Sequence, residues 1–194
     1  FDIDNDGDLD MISSSDTNYI VWQENLDGQG NYGNIHIISD QLNGITSISL
    51  ADIDNDSDMD IVSSSRNVVS GSATYGAIAW HENIGQGNFT SHVLIENLSG
   101  AYYAKVADID GDGNLDIVAN TNGGNLAWFK NTNGLGNFST PYSISSTGLA
   151  LVTSFDIADA DGDGDNDVVV TSSLTDQYMK AGLFINTNGQ GNFG

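Results

Sequence analysis

Residues 51–65 read Ala51-Asp52-Ile53-Asp54-Asn55-Asp56-Ser57-Asp58-Met59-Asp60-Ile61-Val62-Ser63-Ser64-Ser65. Aspartates stand at positions 1, 3, 5 and 9 of a nine-residue run that opens at Asp52, and a β-branched stretch follows. The same run opens at Asp2, Asp108 and Asp159. A second motif trails each run: Trp22 to Asn25 with Gly28-Gln29-Gly30-Asn31-Tyr32, then Trp80 to Asn83 with Gly85 to Phe89. Trp128 to Asn131 with Gly134 to Phe138, and Leu183 to Asn186 with Gly189 to Phe193, complete the set. Two motifs recurring four times in fixed order mark a repeat protein.

Around the acidic runs the chain reads as short strands. Residues 45–51 precede the second run, 60–65 follow it, and 76–82 and 90–95 come next. These stretches are rich in β-branched and aromatic residues, punctuated by Gly and Asn, with no sustained 3.6-residue period. About four strands per ~50 residues is the mark of a β-propeller blade. The fold class expected is all-β: a propeller-type array of four four-stranded antiparallel blades, each with one acidic loop. We place the repeats at 1–44, 45–100, 101–150 and 151–194 of a single repeat domain. The first lacks the strand before its loop and the fourth stops before its last strand, leaving about 14 of 16 strands. Phe1 opens inside a motif, so the array is expected to belong to a longer chain or assembly, with self-association through open blade edges.

Each loop is expected to converge on a divalent ion. A tight turn aims alternate side chains inward, which gives Asp2, Asp4, Asp6 and Asp10 in the first loop and Asp52, Asp54, Asp56 and Asp60 in the second. Asp108, Asp110, Asp112 and Asp116 form the third set, and Asp159, Asp161, Asp163 and Asp167 the fourth. Position 7 (Asp8, Asp58, Asn114, Asp165) would offer a backbone carbonyl. Position 6 is Gly7, Gly113 or Gly164, suited to positive φ, but Ser57 in the second loop. Position 8 (Leu9, Met59, Leu115) would anchor the loop in the core; Asn166 departs from this. Hard oxygen donors in this number suit Ca²⁺, about four ions in all, whereas zinc would want His or Cys. The EF-hand is rejected, because position 12 is Ser13, Ser63, Ala119 or Val170 and strands follow.

These residues resemble the FG-GAP/VCBS repeat family, most clearly in Ala51 to Asp56 with Asp60-Ile61-Val62, in Ala107 to Gly113 with Asp116-Ile117-Val118, and in the Trp…Glu-Asn…Gly-Gln-Gly-Asn-Phe signature. The resemblance implies calcium-binding propeller blades related to the head of integrin α-chains, in secreted and surface proteins, with the aspartates at positions 1, 3, 5 and 9 as ligands. It points to a non-enzymatic structural or adhesive module. A carbohydrate-binding propeller, or an accessory part of a polysaccharide-degrading enzyme, is the alternative.

Charge narrows the partners. The 194 residues carry 27 Asp plus Glu against four Lys plus Arg, a formal net charge of −23. Nineteen of the acids lie in the four loops; elsewhere the balance is ordinary. Nucleic acid and anionic membrane surfaces are excluded as partners, and no apolar run approaches the ~20 residues of a membrane helix. Glycans or other extracellular proteins remain as partners beside calcium. With no Cys, disulfides are absent and calcium is the expected staple. Trp22, Trp80 and Trp128, with Tyr32, Phe89, Phe138 and Phe193, occupy fixed repeat positions and are read as core. His36, His81 and His92 are solitary in sequence, and no catalytic constellation is read from them. Acceptor patterns for N-glycosylation occur at Asn55, Asn88, Asn97 and Asn137, as they do freely in an Asn- and Ser-rich chain.

Overall fold

A computed structural model describes residues 1–15, 18–67, 75–98, 101–121, 125–144, 151–173 and 179–194. Among them there is no helix, and 14 strands form four antiparallel sheets. The first sheet holds β1 (Met11–Ser14), β2 (Ile20–Asn25) and β3 (Tyr32–Ser39). The second holds β4 (Ile45–Ala51), β5 (Asp60–Asn67), β6 (Tyr75–Asn83) and β7 (Phe89–Leu98). The third holds β8 (Ala104–Ala107), β9 (Asp116–Asn120), β10 (Leu126–Phe129) and β11 (Tyr142–Ser143). The fourth holds β12 (Leu151–Ala158), β13 (Asp167–Ser173) and β14 (Met179–Phe184). Strands run in sequence order within each sheet, so every connection joins neighbours. Only the two middle sheets have four strands; the outer two have three, as their shortened repeats require.

Three cores lie between successive sheets. Ile3, Trp22, Ile61 and Ala79 join the first and second. Val62, Trp80, Ile117 and Phe129 join the second and third. Val118, Trp128, Val168 and Phe184 join the third and fourth. Neighbouring residues of one strand thus enter different cores: Ile61 faces backward and Val62 forward. A middle strand buried on both faces has no polar side to show, which is why β9 (Asp-Ile-Val-Ala-Asn) is buried along its whole length. The outermost faces are different. Met11, Ile35 and Ile37 of the first sheet are exposed, as are Val169 and Leu183 of the fourth.

The tryptophans are the hinge pins of the stack. Trp22, Trp80 and Trp128 are about 95% buried, each under the glycine turn of the next sheet. A Cβ at Gly87, Gly136 or Gly191 would lie 2.2 Å from the respective ring, so the second glycine of the turn is needed for close approach as well as for its positive φ. Gly30, at the same place in the first sheet, meets nothing within 4 Å, since among the described residues no sheet packs against it there. The aromatic ending the turn follows the same rule. Phe89, Phe138 and Phe193 pack backward into the three cores, whereas Tyr32 is exposed. The expectation of a core role is therefore corrected for Tyr32: among the described residues no core lies behind it.

Histidine at the middle of the second sheet is buried rather than solitary. His81 Nε2 lies 2.8 Å from Ser63 Oγ and Nδ1 lies 2.7 Å from Ser91 Oγ. Both His81 and Ser63 are fully buried, so this is a core hydrogen-bond chain. Burial, reinforced by His92, lowers the His81 imidazole to about 4. Its unfolded value is near 6.5, so the unfolded chain binds the extra proton as pH falls between these values. The stability it contributes is complete above about 6.5 and lost towards 4. Phe129 and Phe184 occupy the equivalent position in the next two sheets. Wild type is therefore expected to lose roughly 3 kcal/mol relative to His81→Phe between pH 7 and 4, measured by urea denaturation across that range. A pH-independent difference would contradict this. His36 and His92 instead stack on Trp22 and Trp80 at 4.9 and 4.7 Å.

Candidate metal centre

Each acidic run forms a loop between two strands or ahead of one, closed by its own carboxylates. The position 1 aspartate accepts backbone N–H groups from the turn: Asp52 takes Asp56 N at 3.1 Å and Ser57 N at 3.0 Å, and Asp2 takes Asp6 N and Gly7 N. Asp108 and Asp159 do likewise. The position 5 aspartate caps the N–H of position 7 at 2.8–3.0 Å in all four loops. Position 6 is left-handed throughout: Gly7, Gly113 and Gly164 have φ of 98°, 86° and 97°, and Ser57 has 78°. Serine there carries the steric cost that glycine avoids.

Carboxylates converge in each loop. One ligand atom from each of Asp52, Asp54 and Asp60 lies within 4.8 Å of the others, and Asp108, Asp110, Asp116 and Asp159, Asp161, Asp167 repeat the pattern. In the first loop the grouped residues are Asp2, Asp4 and Asp6. Positions 1 and 3 thus converge everywhere, position 9 in three loops and position 5 in one. The position 7 side chains turn elsewhere, onto the first glycine of the following turn: Asp8 faces Gly28, Asp58 Gly85, Asn114 Gly134 and Asp165 Gly189.

Position 9 has a second task. Asp60 is fully buried, and its Oδ2 and Oδ1 accept Ile53 N at 3.0 Å and Asn83 N at 2.8 Å. Asp10, Asp116 and Asp167 accept the equivalent pairs. This residue ties the loop to the strand bearing the Trp-x-x-Asn motif. Burial pushes the Asp60 and Asp116 carboxyls up to about 6, against the backbone N–H groups that hold them down. Burial and neighbouring carboxylates also raise Asp4, Asp54 and Asp161. The ion-free loops are therefore electrostatically loaded. Like charges ~4 Å apart repel by a few kcal/mol at an intermediate dielectric, and a divalent cation reverses the sign.

Asp54 and Asp110, both at position 3, each keep a buried Oδ1 with no hydrogen-bond donor. A buried carboxylate oxygen without a donor is costly. Surrounded by further carboxylates, it suits a hard cation.

Sequence reasoning missed the asparagine of the second motif. Asn83 Nδ2 donates to Ile3 O of the preceding loop at 2.8 Å, Asn131 Nδ2 to Ile53 O at 2.9 Å, and Asn186 Nδ2 to Ile109 O at 2.7 Å. All three are fully buried and link loop to loop down the stack. The signal was its invariant place in four repeats. The loop anchor was also misassigned in part. Ile3, Ile53 and Ile109 at position 2 are buried in the forward cores, while Leu9 at position 8 is 67% exposed. Met59 and Leu115 pack on the sheet behind them; Leu9 has none behind it. Asn166 replaces that contact with a hydrogen bond to Asp108 O at 2.8 Å.

An all-β stack of antiparallel sheets, each with one carboxylate-lined loop, defines a class of repeat protein. The chain belongs to the FG-GAP-like repeat family, whose repeat is matched at residues 2–63, 66–119 and 108–170. Repeats of this family are typical of extracellular and surface proteins, are generally non-catalytic, and often bind calcium. A comparison with curated proteins finds no match.

Proposed function

We propose that this chain is a calcium-binding structural or adhesive module of an extracellular protein, its four sheets being blades of a propeller-type array. The observation that carries the reading is the donor-free buried oxygen at Asp54 and Asp110 within carboxylate clusters. Positions 1, 3 and 5 would hold the ion, with position 9 completing the set; position 7 keeps its expected carbonyl. Bound calcium supplies positive charge that neutralises the cluster. The residues themselves do the rest: position 1 shapes the turn, position 9 fastens it to the sheet, and asparagine fastens it to the neighbouring loop. Affinities of ~10⁻⁴–10⁻³ M would match extracellular calcium. Self-association through open blade edges would also bring cover to the exposed apolar residues of the first and fourth sheets. The buried tryptophans offer no platform for sugar rings, so the glycan-binding alternative gains nothing from them. Calorimetric titration of chelator-stripped protein tests the reading. Saturable heat with calcium in the millimolar range or below, and much less with magnesium, is expected; no calcium heat would refute it.

A further inference from the structure

The four loops are not equivalent. The residue before the clamp asparagine is Glu24, Glu82, Lys130 and Ile185 in turn. Glu82 adds its charge to the field at Asp54, and Glu24 does so at Asp4. Lys130 does the opposite. Its ammonium pairs with Asp110 Oδ2 and lies 2.9 Å from Asp112 Oδ2. These are the position 3 and position 5 carboxylates of one loop. Asp110 is only 10% exposed and Lys130 27%, so the contact is sheltered from water. The third loop is also poorer in acid, with Asn114 where the others have Asp8, Asp58 and Asp165. Four aspartates and a lysine stand there, against five aspartates and a glutamate at the second loop.

We propose that Lys130 is a built-in cation for the third loop, drawing Asp110 and Asp112 together without calcium and making this loop the weakest of the four for the ion. The inference rests on the calcium reading above. An incoming ion must displace an ammonium already paired with two of its ligands, and it meets one positive charge instead of one more negative. The donor-free Asp110 Oδ1 shows that the ammonium satisfies the cluster only in part, so the loop keeps residual affinity. Mechanically, the middle of the stack stays closed when calcium is scarce.

The test compares wild type with Lys130→Ile, the residue found at this place in the fourth repeat. Calcium titration with native mass spectrometry is expected to show three ions on wild type at a concentration that puts four on the variant, with the third loop at least tenfold weaker in wild type. Melting gives a second readout. In chelator the variant should melt below wild type, and saturating calcium should close the gap. A merely structural lysine would lower both melting points equally and leave the ion count unchanged, which would overturn the proposal. So would four equivalent ions on wild type alone, whatever the variant's folding. Failure of the calcium reading looks different: neither protein binds any ion.

Discussion

Stripping calcium with excess chelator is expected to lower the melting temperature by about 10–25 °C. Each ion that binds only the folded chain stabilises it by RT ln(1 + [Ca²⁺]/Kd), or about 2 kcal/mol per site at ~2 mM ion and ~10⁻⁴ M affinity. Three or four sites give roughly 5–7 kcal/mol, and each kcal/mol moves the midpoint of a chain this size by ~2–4 °C. The repulsion left behind acts in the same direction. In the first and second loops no lysine stands beside the aspartates to take the ion's place, so the first sheet should loosen before the third. Differential scanning calorimetry with and without chelator reads the shift directly. A midpoint unchanged within a degree or two would show that the loops hold without cations.

Asp60→Ala is expected to cost about 3–5 kcal/mol even in chelator, and more in calcium, where a member of the ion's ligand set is also lost. The substitution orphans two buried N–H groups, of Ile53 and Asn83, and uncouples the loop from β6. Asn83 then loses its alignment towards Ile3 O, so the damage reaches the first sheet. Asp54→Asn makes the contrast. Its carboxylate aims a donor-free oxygen into the cluster, so the change should abolish the calcium response of the second loop yet leave the chelated protein as stable or slightly more so. Urea denaturation of both variants in calcium and in chelator separates the roles. Equal behaviour of the two would mean that positions 3 and 9 do the same job.

Much of this was legible in the sequence because a repeat reports each position several times. The four loops, the strand order and the shortened outer sheets all follow from motif spacing. What stayed hidden depends on neighbours in the stack. Leu9, Tyr32 and Gly30 carry the same residue class as their counterparts yet lack their contacts, since among the described residues no sheet packs behind the first. A one-residue alternation along Ile61 and Val62 does not reveal that each faces a different core. Position 9 looked like one more ligand; only the paired backbone N–H groups reveal its fastening role. Lys130 drew no notice because its distance from Asp110 is a property of the folded loop, not of the 19 intervening residues.

The most direct test is diffraction from crystals grown in calcium, with anomalous data sensitive to the ion. Density is expected among Asp2, Asp4 and Asp6, among Asp52, Asp54 and Asp60, and among Asp159, Asp161 and Asp167, with the weakest peak beside Lys130. Loops closed on water alone at saturating calcium would contradict the claim that these aspartates are gathered around a divalent ion.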